Sequence, residues 1–91
     1  MIDDRGNEIS VDDMVTLTGI DGGGTAPYWL MWTSGVVVGI ARTRVRVNFV
    51  QESTDWRPVP AWCLRVTSPV DGRALITADE AWTAQVDRVK P

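Results

Sequence analysis

Few side chains in this sequence could carry out covalent or acid–base chemistry. The 91 residues include one cysteine, Cys63, and no histidine, which excludes His-based triads, His-containing zinc sites and a disulfide within the sequence. Asp12 and Asp13 are adjacent, so on a strand their carboxylates point to opposite faces and cannot share a substrate. Cys63 lies between Trp62 and Leu64, a setting typical of a buried thiol. The sequence therefore predicts a protein that is not an enzyme and uses no metal or cofactor.

A run of three glycines, Gly22 to Gly24, invites comparison with a phosphate-binding loop. No Lys-Ser/Thr pair follows the glycines and no helix start succeeds them, so their amides would have no helix dipole behind them. We expect a flexible turn at this position and no small-molecule substrate.

Three arginines, Arg42, Arg44 and Arg46, are spaced two residues apart. On a strand they would point to one face and form a stripe reaching about 13 Å. One interpretation is a solvated outer face whose charge is answered by acids such as Glu52 or those of the N-terminal arm. The other is a nucleic-acid-binding stripe that follows phosphates while a tryptophan, Trp29 or Trp56, stacks on a base.

The charge of the chain is unevenly distributed. The net charge is −3, but residues 1–24 hold six acids and one arginine, a net of −5, while residues 25–75 hold six arginines and three acids, a net of +3. The acidic arm argues against indiscriminate polyanion binding and leaves room for a local anionic contact. A protein partner is therefore predicted ahead of nucleic acid.

Five tryptophans are many for a chain of this length, and they cannot all be interior. The most hydrophobic aromatic run is residues 28–32, Tyr-Trp-Leu-Met-Trp. Leu30 and Trp32 could fill the core, whereas Tyr28 or Trp29 could be exposed for recognition. The predicted protein-binding residues, which also serve a self-association interface, are Tyr28, Trp29, Met31, Trp32 and Trp56.

A third interpretation is an aromatic cage for a cationic side chain. It would use Tyr28, Trp32 and Trp56, with Asp21 or Asp55 supplying the counter-charge. Use of the same tryptophans in the core is the simpler expectation.

Residues 35–50 predict a central β-hairpin: an apolar run at 35–40, a tight turn at 41–43, and a second strand whose alternating residues place Val45, Val47 and Phe49 on the core face. The other predicted elements are an N-terminal turn at 4–7, a strand at 14–18, a long loop at 19–34, an extended edge at 56–60, a 3₁₀ turn at 61–63 and a strand at 64–67.

The C-terminal residues 78–89 fit two patterns. As a helix they would be capped by Thr77 with Glu80 completing a capping box, and Trp82 and Val86 would share a stripe. As a strand, Trp82, Ala84 and Val86 would alternate with polar residues. We favour the helix because the capping box and the alanines agree.

This order of elements resembles the small SH3-like barrels of KOW and Tudor type. Residues 13–17, Asp-Met-Val-Thr-Leu, look like the Gly-Asp-x-Val opening of those domains, with Asp12 where glycine is commoner. Residues 35–49 look like their central hairpin and residues 59–66 like their closing 3₁₀ turn and strand. The Ala-Leu-Tyr-Asp-Tyr run of signalling SH3 domains is absent, which argues against polyproline recognition. The chain as a whole is similar to uncharacterised small proteins of bacteriophages and high-GC bacteria.

Taken together, these features predict a mainly β single domain over 1–91. We expect an N-terminal arm at 1–12, a five-stranded SH3-like barrel at 13–67, and a C-terminal extension at 68–91 with a short helix or hairpin. The predicted function is a protein-interaction or assembly module, such as a phage protein that contacts a host or virion protein, with nucleic-acid binding as the alternative. The absence of a secretion signal or a bilayer-length apolar run predicts a cytoplasmic protein, or a virion-associated one if it comes from a phage.

Overall fold

The computed structural model describes residues 1–21, 26–52 and 56–76. These residues form one five-stranded antiparallel sheet of order β4-β3-β2-β1-β5. The elements in chain order are β1 (Met14–Leu17), a first 3₁₀ turn (Tyr28–Leu30), β2 (Ser34–Ile40), β3 (Val45–Phe49), β4 (Arg57–Val59), a second 3₁₀ turn (Ala61–Cys63) and β5 (Leu64–Ser68). The predicted mainly β fold with five strands is confirmed. The C-terminal helix predicted at 78–89 lies outside the described residues.

The prediction of a closed barrel is wrong, because β4 and β5 lie at opposite edges of an open sheet. β4 has three residues, and its central Pro58 has no N–H to donate to a further strand. The outer edge of β5 is already occupied: Val66 N–H donates to Asp3 Oδ2 at 2.8 Å, and Leu64 C=O accepts from Asp4 N–H at 2.9 Å. Neither edge is therefore available for closing the sheet.

The central hairpin is built as its alternating sequence predicts. β2 pairs with β3 from Gly35 opposite Phe49 to Ile40 opposite Val45, with a bulge at Val38. Val45, Val47 and Phe49 are buried, which confirms the predicted core face. With them the core contains Ile9, Val15, Leu17, Ala26, Leu30, Val37, Val59, Cys63, Leu64 and Val66.

The predicted N-terminal turn is confirmed, and a buried carboxylate organises it. Asp3 Oδ1 accepts hydrogen bonds from the backbone N–H groups of Arg5 and Asn7 at 2.9 and 2.8 Å, while Asp3 Oδ2 accepts from Val66. Gly6 has φ +89°, a conformation that suits glycine. The turn thus uses its acidic side chain to fix the N-terminal arm against β5.

A second buried carboxylate, Asp13, joins the start of β1 to the segment after β5. It accepts hydrogen bonds from Ser10 N–H at 2.8 Å and Val70 N–H at 2.9 Å, and it is ion-paired with Arg73. Burial alone would raise the pKa of Asp13, but the bonds from Arg73, Val70 and Ser10 outweigh it and hold this pKa below its usual value.

Cys63 is buried, as its sequence setting predicts. Burial, followed by the nearby charge of Asp21, raises the pKa of the Cys63 thiol from 9.0 to about 11. Since little of Cys63 is thiolate near pH 8 and its side chain is fully buried, we expect the native protein to react with a disulfide reagent at least about tenfold more slowly than the unfolded chain. Absorbance of the released thiol, with and without guanidinium, measures both rates. Equal rates would contradict this expectation.

The helical elements within the described residues are two 3₁₀ turns of three residues each. None of them is long and apolar enough to cross a membrane.

Candidate binding surface

The long loop between β1 and β2 presents its aromatic side chains on a short, anchored turn. Pro27 starts the first 3₁₀ turn with extended backbone, and Leu30 N–H donates to Pro27 C=O at 3.1 Å. Leu30 is fully buried, which confirms its predicted core role, and its C=O accepts from both N–H and Oγ1 of Thr33. Tyr28 and Trp29 on the same turn are 75% and 52% exposed. Burial of Leu30 therefore anchors a turn whose two other side chains, Tyr28 and Trp29, are exposed to solvent.

Trp32 has an unusual backbone conformation for a bulky residue. Its φ is +65°, in the left-handed region, which costs an L-residue about 1–2 kcal/mol. Its N–H donates to Leu17 C=O at 2.8 Å, so the end of β1 holds the residue in place. The side chain is 66% exposed, so of the two residues considered for the core, Leu30 and Trp32, only Leu30 fills it. The strained backbone thus carries a tryptophan that faces solvent.

Trp29 lies against a charged pair formed by Arg57 of β4 and Glu52, which follows β3. The guanidinium of Arg57 is 5.5 Å from the centre of the Trp29 ring and donates to both carboxylate oxygens of Glu52, at 3.0 and 2.7 Å. This pairing lowers the pKa of Glu52 and raises that of Arg57. A two-point salt bridge of this kind fixes the guanidinium plane, so it also positions the indole that it contacts.

Arg46 makes a second cation–π contact, with Trp56. Its guanidinium carbon is 4.9 Å from the centre of the Trp56 ring, which is 45% exposed. Arg46 is opposite Pro58 of β4 and opposite Gly39 of β2. The two cation–π pairs therefore flank the beginning of β4, where Trp56 and Arg57 are adjacent in sequence. We call Tyr28, Trp29, Trp32 and Trp56 the aromatic surface.

The structure separates the three arginines of the predicted stripe. Arg42 is exposed in the turn between β2 and β3, and Arg44 lies just before β3. Arg44 Nη1 donates to Asp21 at 3.2 Å, so an acid of the N-terminal region answers its charge, as one interpretation predicted. Arg46 stacks on Trp56 instead.

The acids expected to neutralise the stripe mostly have other partners. Glu52 pairs with Arg57, whereas Asp4 pairs with Arg65 and Asp13 with Arg73. The predicted internal neutralisation therefore applies to Arg44 and not to the stripe as a whole.

Among the described residues, the only ring interactions of the aromatic surface are those of Trp56 with Arg46 and of Trp29 with Arg57, and none joins two members of the predicted aromatic cage. Trp56 contacts Arg46, and Asp21, one of the two predicted counter-charges, pairs with Arg44. The other, Asp55, lies outside the described residues. Met31, predicted to bind a protein, is partly buried and packs against the core.

Two features of the surface were not predicted from the sequence. One is the salt bridge between Arg57 and Glu52, whose only sequence signal is opposite charge five residues apart. The other is an open cleft of about 480 Å³ between the N-terminus and the second 3₁₀ turn, lined by Met1, Ile2, Asp21, Arg44, Ala61 and Trp62, among others. The sequence signal for this cleft was the high number of tryptophans, which predicted that some are exposed. Trp62, which lines the cleft, is one of these and is 58% exposed.

No family model matches the chain, and no match to it is found among curated proteins or solved structures. Function is therefore inferred from the contacts of this chain alone. Those contacts define a small, mainly β domain with an anchored, solvent-exposed aromatic surface.

Proposed function

We propose that this chain is a non-catalytic protein-interaction or assembly module that contacts its partner through the aromatic surface. The observation that carries the proposal is the exposure of Tyr28, Trp29 and Trp32 on an anchored loop. Aromatic residues are enriched in the cores of protein interfaces, and Trp and Tyr dominate the residues whose truncation weakens binding most. Exposed aromatic groups of this size leave apolar area in water that a partner would remove.

The anchoring of these side chains favours binding. Leu30 is buried in the core. The Trp29 ring contacts Arg57, which in turn donates two hydrogen bonds to Glu52. Side chains that are ordered before association lose less conformational entropy when a partner arrives. The backbone strain at Trp32 fits the same interpretation, because strained residues persist where the surrounding structure fixes them and are frequent at functional sites.

The mode of contact that we propose uses side chains and not strand addition. A partner strand needs an edge with free donors and acceptors. Pro58 removes a donor from the short edge strand β4, while Asp3 and Asp4 occupy backbone groups of β5. We therefore expect a partner to contact the ring faces of the aromatic surface and the guanidinium groups beside them.

The proposed relationship to SH3-like domains of KOW and Tudor type is supported by the strand order. Along the chain, a strand, a long loop, a strand pair, a short strand, a 3₁₀ turn and a final strand follow one another, which is the order that the sequence resemblance implies. The class hosts many kinds of binding, so the fold itself does not identify a partner. A phage protein that contacts a host or virion protein remains part of this proposal.

The alternative function is nucleic-acid binding by Arg42, Arg44 and Arg46. The stacking of Arg46 on exposed Trp56 favours it, since such pairs also contact bases. Against it, Arg44 is ion-paired with Asp21, which leaves fewer cations to contact phosphates, and the affinity for a polyanion depends on how many phosphates are contacted. The alternative requires measurable affinity for oligonucleotides at low salt.

Substitution of Trp32 by glycine should abolish partner binding while the fold is retained. Glycine adopts φ +65° without the cost borne by tryptophan, and the side chain removed is largely in solvent. We expect the Tm to be unchanged or slightly higher, and partner affinity to fall at least tenfold, the loss typical of a central aromatic contact. Quantitative affinity capture from native cell extract, with light scattering for self-association, measures the loss.

Trp62→Ala is the matched control for this variant. Trp62 is similarly exposed but lies on the second 3₁₀ turn beside the cleft, so its replacement should leave binding intact. The proposal is contradicted if wild type neither captures a partner nor self-associates, or if both substitutions reduce binding equally at unchanged Tm.

A further inference from the structure

Arg46 differs from Arg57 and Arg65, the two other arginines in strands of the sheet, and from Arg44 and Arg73. Four arginines are ion-paired with acids of the chain: Arg44 with Asp21, Arg57 with Glu52, Arg65 with Asp4, and Arg73 with Asp13 and Asp71. Arg46, by contrast, contacts the ring of Trp56, and no acid among the described residues forms a salt bridge with it. The Arg46 guanidinium can therefore bind an oxyanion from outside the chain.

The side chain of Arg46 is ordered on both sides. On one side the Trp56 ring lies 4.9 Å from the guanidinium carbon. On the other side is Gly39, where a Cβ atom would lie 3.3 Å from Arg46 Cδ, so the absent side chain leaves the space that the arginine occupies. The bulge at Val38 places Gly39 opposite Arg46. The β2–β3 hairpin thus provides a slot for the arginine stem.

A guanidinium stacked on an indole keeps its hydrogen-bonding capacity. The ring contacts the face of the guanidinium, whereas the five N–H donors lie in its plane. In that plane they match the two oxygens of a carboxylate. Asn48 follows Arg46 on the same face of β3 and is exposed, so its amide can donate to the same or a neighbouring acceptor.

We propose that Arg46, held by Trp56 and Gly39, is a carboxylate-recognition site for an acidic segment of a protein partner. This inference rests on the proposed function, since Trp56 belongs to the aromatic surface, and it adds the charge of the partner. An acidic protein segment is favoured over nucleic acid by the ion-pairing of Arg44, because a strand of phosphates needs several neighbouring cations whereas one carboxylate needs a single guanidinium.

The test uses a defined acidic probe. A ten-residue peptide of alternating Glu and Ser, with blocked ends, is titrated into the full chain. The NMR signals of Arg46 Nε–H and of the adjacent Trp56 indole N–H are followed, and the indole signal reports binding in the Arg46 variants. The Gln-Ser peptide is the uncharged comparison. We expect saturable shifts with the Glu peptide and none with the Gln peptide. Arg46→Gln should weaken binding by about tenfold or more, as expected for loss of a charge-assisted hydrogen bond. Arg46→Lys should also weaken it, because lysine lacks the planar fork.

Arg5→Gln is the matched control. It removes the same charge from the N-terminal turn, where no salt bridge of the Arg5 side chain is found among the described residues, and should change affinity less than twofold. The inference is overturned if the Glu peptide does not bind, if Arg5→Gln and Arg46→Gln weaken binding equally, or if a single-stranded oligonucleotide binds through Arg46 more tightly than the peptide. Persistence of Trp32-dependent partner capture would then show that only the carboxylate site is wrong. Peptide binding without such capture would instead count against the proposed function.

Discussion

Replacing Asp13 with alanine should lower the free energy of unfolding by about 3 kcal/mol. Two backbone N–H groups would lose their acceptor, and each such loss costs roughly 1–3 kcal/mol. The Asp13 side chain is fully buried and accepts hydrogen bonds from Ser10 N–H and Val70 N–H. Alanine leaves both donors without an acceptor, and Arg73 loses its buried partner. For a chain of this length such a loss is a large part of the total stability.

Urea denaturation followed by tryptophan fluorescence measures this change. Asp71→Asn is the matched control, since Asp71 is the other carboxylate bonded to Arg73 but is mostly exposed. We expect little change in midpoint for Asp71→Asn. A midpoint for Asp13→Ala that is equal to wild type would show that the network does not stabilise the fold.

The same carboxylate makes stability depend on pH. Its pKa is lower in the folded protein than the ordinary 3.8, so its contribution is complete well above pH 3.8 and is lost as the pH falls through the folded value. Wild type should therefore lose stability in acid more steeply than Asp13→Asn, which has no proton to bind at this position. Denaturation midpoints between pH 6 and pH 3 compare the two slopes.

The sheet was largely predictable because its signals are local. Strict alternation over residues 44–49 fixed which side chains of β3 face the core, and the prolines at 58 and 60 indicated a short edge strand followed by a turn. The 3₁₀ turn at Ala61–Cys63 was predicted at its observed bounds.

Closure of the sheet was not predictable in the same way. It depends on which group occupies the outer edge of β5, and that group is Asp3, more than 60 residues earlier in the chain. An acidic N-terminal arm suggested charge neutralisation, whereas Asp3 and Asp13 act chiefly as acceptors for backbone N–H groups. No periodicity in the sequence encodes such a pairing.

The candidate site was also predictable only in part from the sequence. Composition and position indicated that the aromatic run at 28–32 holds surplus tryptophan, and Leu30 was correctly expected in the core. The left-handed backbone at Trp32 has no signal in sequence, since glycine or asparagine is usual there. The environments of Arg42, Arg44 and Arg46 also depend on tertiary contacts, so these equally spaced residues have three different surroundings.

A second large effect is expected at Gly35, the first buried residue of β2. Replacing a strand glycine by alanine ordinarily stabilises a protein by about 0.4–1 kcal/mol through the unfolded chain. Here an added Cβ would lie 2.7 Å from Asn48 O, 2.7 Å from Val47 Cγ1 and 3.0 Å from Phe49 Cα. Two of these atoms are backbone of the paired strand, so β2 and β3 would have to separate. We expect Gly35→Ala to lower the free energy of unfolding by about 3 kcal/mol, at the upper end of overpacking costs.

Gly39→Ala separates this steric effect from the general effect of removing a glycine. The two positions lie on the same strand, but a Cβ at Gly39 would meet only the Arg46 side chain, with Cδ at 3.3 Å, and a shift of this exposed side chain by a few tenths of an ångström relieves the contact. Its stability should stay within about 0.5 kcal/mol of wild type, as for most surface substitutions. Thermal and urea denaturation of the pair decide the matter: equal stabilities would mean that β2 and β3 are not packed as closely as the structure places them. If Gly35→Ala alone is destabilised, the close approach of the β2 and β3 backbones at Gly35 is what stabilises the central hairpin.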